Sequence, residues 1–306
     1  MEKPSRTHPV PILTPPDLDK HHFDPDLGWM PTLLSDYHLF HFNRVETYRS
    51  HLTFPLSPHR KTVFDFIFLT KGHSIRTKGL DTYEFSANSF FFLPAYQITA
   101  HEWMSEDAEG FFCHFDAQII QKNFSKPDFS AEFPFLQFVG DPIVRTDDDF
   151  SSTIHPTLLK LEAEYDQDKP FKLDVVSFCL LSLFTELKRY SHTQIKVRDN
   201  SASRITQQYK LALGQHIYQK QSITDYADLL AISPNHLNKC VKNATGKSAQ
   251  DLLNDMILLE AKVLLRQKDL PVSEIAFKLT RQNPSDFTRF FKAKTGITPK
   301  EYKRMD

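Results

Sequence analysis

The chain has 306 residues, 40% hydrophobic and 25% charged, with a formal net charge of −1. At roughly 100–200 residues per domain, that length predicts two domains, each able to bury its own core. No apolar run reaches the roughly 20 residues that span a bilayer, no signal-peptide-like stretch opens the chain, and Cys113, Cys179 and Cys240 are too scattered for a disulfide framework or a zinc site. The expectation is a reduced, cytoplasmic, soluble protein with no membrane partner.

Residues 1–31 contain seven prolines and read as an extended Pro-rich arm rather than a helix. From Tyr37 to Phe115 short aromatic and β-branched runs predict strands near 39–48, 63–70, 83–85, 90–93 and 111–115, with turn signals at Lys71-Gly72, Lys78-Gly79 and Glu109-Gly110. Along 63–69, Phe64, Phe66 and Phe68 point one way and Val63, Asp65, Ile67 and Leu69 the other, so both faces are apolar except at Asp65. The phenylalanines read either as core or as the lining of an apolar pocket for an aromatic or lipophilic effector.

Two helices follow. Ile154, Leu158, Leu161 and Tyr165 keep helical spacing; Leu173, Val176, Leu180, Leu183 and Leu187 keep heptad spacing, which fits a helix packed on its own sheet or a dimer contact. Residues 191–203 are polar, without apolar period, and read as a linker.

The near-zero net charge hides an asymmetry. Residues 200–306 hold 17 Lys and Arg against 10 Asp and Glu, leaving 20 against 28 for residues 1–199. Only four of the 27 phenylalanines lie after residue 200. A basic half joined to an acidic, Phe-rich half reads as a polyanion-binding module attached to something else, or as an ordinary charged surface.

The same half carries an internal repeat at an offset of 50 residues: SPNHLNKCVKNATGKS from Ser233 and NPSDFTRFFKAKTGIT from Asn283. Ser233 and Asn283 sit as N-caps, Pro234 and Pro284 at the first helical position, and Thr-Gly at each end. Leu237, Val241 and Ala244 form one face of the first helix with Cys240 beside them, leaving Asn235, His236, Asn238, Lys239 and Lys242 outward. In the second, Phe287, Phe290 and Phe291 turn inward and leave Ser285, Asp286, Thr288, Arg289 and Lys292. Amides, hydroxyls and cations near a helix N-terminus read base edges and hold phosphates. Residues 248–265 read as one helix between the units, with a length of roughly 27 Å, close to the ~34 Å between successive major-groove faces.

Residues 222–304 resemble the AraC/XylS family of bacterial transcription regulators. The resemblance rests on Ser233-Pro234, Leu237, Lys242, Thr245-Gly246, Ala261, Leu264-Leu265, Glu274-Ile275-Ala276, Ser285, Phe287, Arg289, Phe291-Lys292 and Thr295-Gly296-Ile297-Thr298-Pro299. It implies that the helices from Pro234 and Pro284 are recognition helices on double-stranded DNA. Two positions depart from the family pattern: Thr280-Arg281 stands where Gly-Phe is usual, and Asp286 where an aromatic is frequent. A carboxylate at 286 repels phosphate but accepts a hydrogen bond from cytosine N4; Arg281 is a candidate phosphate contact.

Family members commonly carry a cupin-like β-barrel before the DNA-binding domain. The metal-binding cupin pattern is met only in degenerate form. His59, Lys61, Asp65 and Gly72 keep the first element's spacing with lysine for histidine and aspartate for glutamate. Thr99 stands at the last histidine of the second, with His101 two residues on. A protonated lysine is a poor ligand, so the expectation is no metal, no cofactor and no catalytic residue.

The resulting expectation is a multidomain chain: arm 1–31; cupin-like β-barrel with two following helices at 32–190, for sensing and dimerisation; linker 191–203; and an all-α double helix-turn-helix domain at 204–306. The DNA-binding residues are Asn235, His236, Asn238, Lys239, Lys242, Ser285, Asp286, Arg289 and Lys292, and the effector-binding residues His59, Asp65 and His101. The expected partners are double-stranded DNA, a small-molecule effector of aromatic or lipophilic type, a second copy of the chain and, by family analogy, RNA polymerase. Two other classes fit the same residues: a ligand-independent DNA-binding protein, and a metal-dependent cupin enzyme fused to a DNA-binding domain.

Overall fold

The computed structural model describes residues 10–23, 34–79, 81–124, 129–138, 141–192, 201–267, 270–280 and 283–304. The chain divides into a β-rich unit within Ile12–Arg198 and a helical unit within Asp199–Asp306.

The β-rich unit begins with strand β1 (Ile12–Leu13) and helix α1 (Pro15–His22). The expected extended arm is therefore corrected at 15–22. Pro15 and Pro16 open the helix, where a missing N–H costs nothing, and Asp17 accepts the Thr14 backbone N–H at 3.1 Å to close its first turn. The rest of the arm, 1–9 and 24–31, lies outside the described residues.

Next come β2 (Phe40–Arg44), α2 (Val45–Tyr48), β3 (Leu56–Lys61), β4 (Phe64–Lys71), β5 (His73–Lys78), β6 (Asp81–Ser86), β7 (Ser89–Leu93), β8 (Thr99–Met104), β9 (Glu109–Phe115), α3 (Ala117–Gln121), β10 (Ile143–Arg145), α4 (Asp148–Tyr165) and α5 (Lys172–His192). They form two five-stranded sheets, ordered β1-β3-β8-β5-β6 and β10-β7-β4-β9-β2. Among the described residues no strand of one sheet pairs with a strand of the other. Among the described residues the sheets end at β1, β6, β10 and β2 without joining, so they do not close, and the cupin-like barrel is corrected to an open two-sheet arrangement.

The second sheet is buried on both faces. Phe64, Phe66 and Phe68 pack with Phe90, Phe92, Phe111 and Phe115 beneath Val176, Leu180, Leu183, Phe184 and Leu187 of α5. On the other face Ile67, Leu69 and Phe91 meet Phe85 and Met104 of the first sheet. The heptad seam is thus core of its own unit. Each fully buried phenylalanine contributes roughly 1.5–3 kcal/mol, which makes this layer the main source of stability. Gly72 turns β4 into β5 at φ +77°, whereas Gly110, expected at a turn, lies inside β9, where a Cβ would meet the Phe68 carbonyl oxygen at 2.1 Å.

The helical unit contains α6 (Ser201–His216), α7 (Ile223–Leu229), α8 (Pro234–Thr245), α9 (Ala249–Gln267), α10 (Val272–Thr280), α11 (Pro284–Thr295) and α12 (Pro299–Tyr302). The predicted linker falls largely on 193–200, outside the described residues.

Candidate nucleic-acid interface and inter-sheet cavity

The sequence repeat is a structural repeat. Ser233 Oγ accepts the His236 N–H at 3.2 Å to open α8, and Asn283 Oδ1 accepts the Ser285 and Asp286 N–H groups at 2.9 and 3.0 Å to open α11. Both helices end on a left-handed glycine, Gly246 (φ +74°) and Gly296 (φ +82°), whose N–H bonds the carbonyl of Lys242 or Lys292. The correspondence runs further than the sequence reading took it. Ser248 and Asp251 exchange hydrogen bonds at the start of α9 as Thr298 and Glu301 do at the start of α12.

Leu237, Cys240 and Val241 are the buried side of α8, with Ala244 exposed rather than inward. Phe287 and Phe291 are the buried side of α11, with Phe290 half-buried. Asn235, His236, Lys239 and Lys242 are exposed on α8, and Ser285, Arg289 and Lys292 on α11. Two predicted contacts have other employment. The Asn238 amide oxygen accepts the Ala249 N–H at 3.0 Å and so caps α9. Asp286 is half-buried, accepts from Asn283 Nδ2 at 2.7 Å and ion-pairs with the Arg289 guanidinium. Arg281 lies outside the described residues. The connecting helix α9, 19 residues, has a length of about 28 Å.

Between the two sheets of the β-rich unit lies a cavity of about 50 Å³. That is room for one or two waters, well below the 300–1,000 Å³ of ordinary ligand pockets. Its walls are His59 and Lys61 (β3), Arg76 (β5), His101 (β8), His114 and Phe112 (β9) and His41 and Asn43 (β2), closed over by Leu18 and His22 of α1. The strand-4 phenylalanines take no part, which assigns them to the core and removes them as a pocket lining.

Of the three predicted effector residues, His59 and His101 reach the cavity and Asp65 does not. Asp65 is buried behind it, ion-paired to Lys61 and, at 3.2 Å, to Arg76. Burial alone would push its carboxyl up; the two cations outweigh that and hold it below the usual carboxylate range. Burial lowers Lys61 to about 8 despite its partner. With both carboxylate oxygens taken, Asp65 offers nothing to a metal in the cupin manner.

Hydrogen bonds fix several imidazole tautomers. His59 Nδ1–H donates to the Ser57 carbonyl at 2.8 Å, and His114 Nε2–H to that of Tyr37 at 2.8 Å. Because Ser74 Oγ–H is given to the Trp103 carbonyl, His101 Nε2–H donates to Ser74 Oγ at 2.7 Å. Burial is the first cause that lowers His22, His41, His59 and His101 well below 6.5 and His114 to about 4, so all five are uncharged at neutral pH. Sequence reasoning missed His21 and His22, which α1 brings against His59, because it read their segment as extended. The adjacent pair on the last turn of a helix was the available signal.

Residues 226–305 match a protein-family profile described as a helix-turn-helix domain. The uncharacterized HTH-type transcriptional regulator YobQ of Bacillus subtilis (strain 168) is 32% identical over 88 residues, covering 29% of this chain and 36% of YobQ. A second uncharacterized HTH-type regulator from that strain, YisR, is 21% identical over 256 residues, covering 80% of this chain and 86% of YisR. Among solved structures, unsaturated fatty acid bound ToxT from Vibrio cholerae strain SCE256 aligns over 90% of this chain and 98% of its own, at 14% identity and a TM-score of 0.40. The profile match assigns the helix-turn-helix character to residues 226–305. No helix among the described residues is long and apolar enough to cross a membrane. The chain thus has a β-rich unit followed in sequence by a C-terminal helix-turn-helix region.

Proposed function

We propose that the chain is a sequence-specific transcription regulator that reads duplex DNA with α8 and α11. The observation that carries this reading is the matched pair of capped helices, each burying one side and presenting amides, hydroxyls and cations near its N-terminus. Lys239 and Arg289 are assigned to base edges, with Asn235, His236 and Ser285 beside them, and Lys242 and Lys292 to phosphates. Asp286 serves as a gate on Arg289: the guanidinium must leave its carboxylate to reach a base.

The test is fluorescence-anisotropy titration of specific and random duplexes over a salt series. Lys242→Ala should weaken binding alike on both and lower the salt slope by about one. Arg289→Ala should cost about 1–3 kcal/mol on the specific duplex alone. Equal effects of both substitutions on both duplexes would remove this division of roles.

The β-rich unit is assigned to effector sensing at the inter-sheet cavity, whose aromatic rings, imidazoles and Arg76 suit an aromatic molecule with a polar substituent. To admit one, the cavity must enlarge several-fold. A second reading, DNA binding without an effector, is favoured by that small volume. Thermal-shift screening of aromatic acids separates the two, since an effector raises the melting temperature of the β-rich unit. Association into a homodimer and contact with RNA polymerase follow the AraC/XylS resemblance. With the heptad seam buried, Leu159 and Phe178 are the exposed large apolar side chains of α4 and α5 available to a second copy.

A further inference from the structure

We propose that His21 and His22 of α1 and His59 of β3 form a three-histidine site for a borderline transition-metal dication, Zn²⁺ foremost. One ring nitrogen from each lies within 4.8 Å of the others. The rings are mutually packed, with centroids 4.7 Å (His21 and His59), 5.2 Å (His22 and His59) and 5.4 Å (His21 and His22) apart.

Three observations point to a ligand. First, His21 Nδ1, His22 Nε2 and His59 Nε2 are all buried without a hydrogen-bond partner among the described residues. A buried polar atom left unpaired costs about 1–3 kcal/mol, and three in one cluster call for an occupant. Second, the His59 Nδ1–H bond to the Ser57 carbonyl fixes the tautomer, so Nε2 presents its lone pair inward. Metal-binding histidines are typically oriented by such a second hydrogen bond. Third, the donor set is imidazole alone, which suits Zn²⁺, Cu²⁺ or Ni²⁺ and not Mg²⁺ or Ca²⁺.

Nitrogens bound tetrahedrally at about 2.0 Å from Zn²⁺ stand about 3.3 Å apart, so from separations within 4.8 Å the nitrogens must close by up to about 1.5 Å. Lys61 and Arg76 share the single carboxylate of Asp65, leaving one net positive charge nearby. A fourth ligand that is anionic, hydroxide or carboxylate, offsets that charge. The site differs from the cupin pattern: of that set only His59 takes part, and two ligands come from a helix outside both sheets. Occupied, it would pin α1 over the mouth of the inter-sheet cavity.

The test uses the full-length chain stripped with a chelator and titrated with Zn²⁺ alone, then with Co²⁺ alone, whose visible absorption reports tetrahedral nitrogen ligation. The expected result is one equivalent per chain and a tetrahedral Co²⁺ spectrum. His22→Ala and His59→Ala should weaken uptake at least about 100-fold, while His38→Ala, at an exposed position, leaves it unchanged. Circular dichroism of the metal-free variants checks folding; should either fail to fold, His21→Ala, at a half-exposed position, decides. No uptake by the native chain, an octahedral spectrum, or uptake that persists in the folded variants overturns the assignment.

Discussion

Acidification from pH 7.5 to 5.0 should remove about 2 kcal/mol of stability from the β-rich unit through His114 alone. Burial holds this imidazole at about 4, against an ordinary value of 6.5. Between those values the unfolded chain binds the proton and the folded chain does not. Stability is therefore complete above pH 6.5 and falls as the pH falls toward 4. At pH 5.0 the unfolded imidazole is almost fully protonated and the folded one about a tenth, a ratio of roughly 30 in their binding terms, or about 2 kcal/mol. The groups around it are the Tyr37 carbonyl, the His41 ring, Lys61 and Asp65. His41 adds in the same direction, while Asp65, held below the usual carboxylate range, stays charged throughout the window. Thermal melts of the metal-free chain at pH 7.5, 6.5, 5.5 and 5.0 should show the β-rich unit's transition falling by at least about 4–8 °C. His114→Gln, which keeps an N–H for Tyr37, should melt lower at pH 7.5 but with a flatter slope, narrowing the gap by about 2 kcal/mol at pH 5.0. Identical slopes in the two proteins would refute the reasoning.

Asp65→Ala leaves Lys61 and Arg76 buried without their carboxylate and should cost about 3–5 kcal/mol in urea unfolding, partly recovered by adding Lys61→Met. Ser233→Ala removes the α8 N-cap and should lower the stability of the helical unit by about 1 kcal/mol in the same assay. Asp286→Asn releases Arg289 from its intrahelical ion pair and should tighten binding to random duplex while steepening its salt dependence, read by anisotropy at two salt concentrations.

Periodic and capped segments were legible in the sequence, and polar segments were not. The repeat from Ser233 and Asn283 carries caps, proline and glycine at matched positions, so its helices follow from local chemistry; the expected 248–265 helix is observed as Ala249–Gln267. The Phe-bearing strands were visible because both faces of their sheet are buried. The strands at Leu56–Lys61, His73–Lys78 and Thr99–Met104 escaped notice because their inward positions are His59, Lys61, Arg76 and His101, which break the apolar alternation while lining a polar cavity. Closure of a sheet is a property of long-range pairing, and no local pattern distinguishes a barrel strand from one in an open sheet. The site residues divided in the same way. Exposure on α8 and α11 could be read from helical spacing, but the employment of Asn238 at the α9 N-terminus and of Asp286 on Arg289 depends on tertiary and rotameric detail.

The central claim is that both helix-turn-helix units read bases, and selection of duplexes from a random pool by the full-length protein at near-physiological salt tests it most directly. The account predicts enrichment of two short boxes about one helical turn apart, the first lost in Lys239→Ala and the second in Arg289→Ala. Absence of any enriched sequence, from the full chain and from residues 201–306 alike, would contradict it.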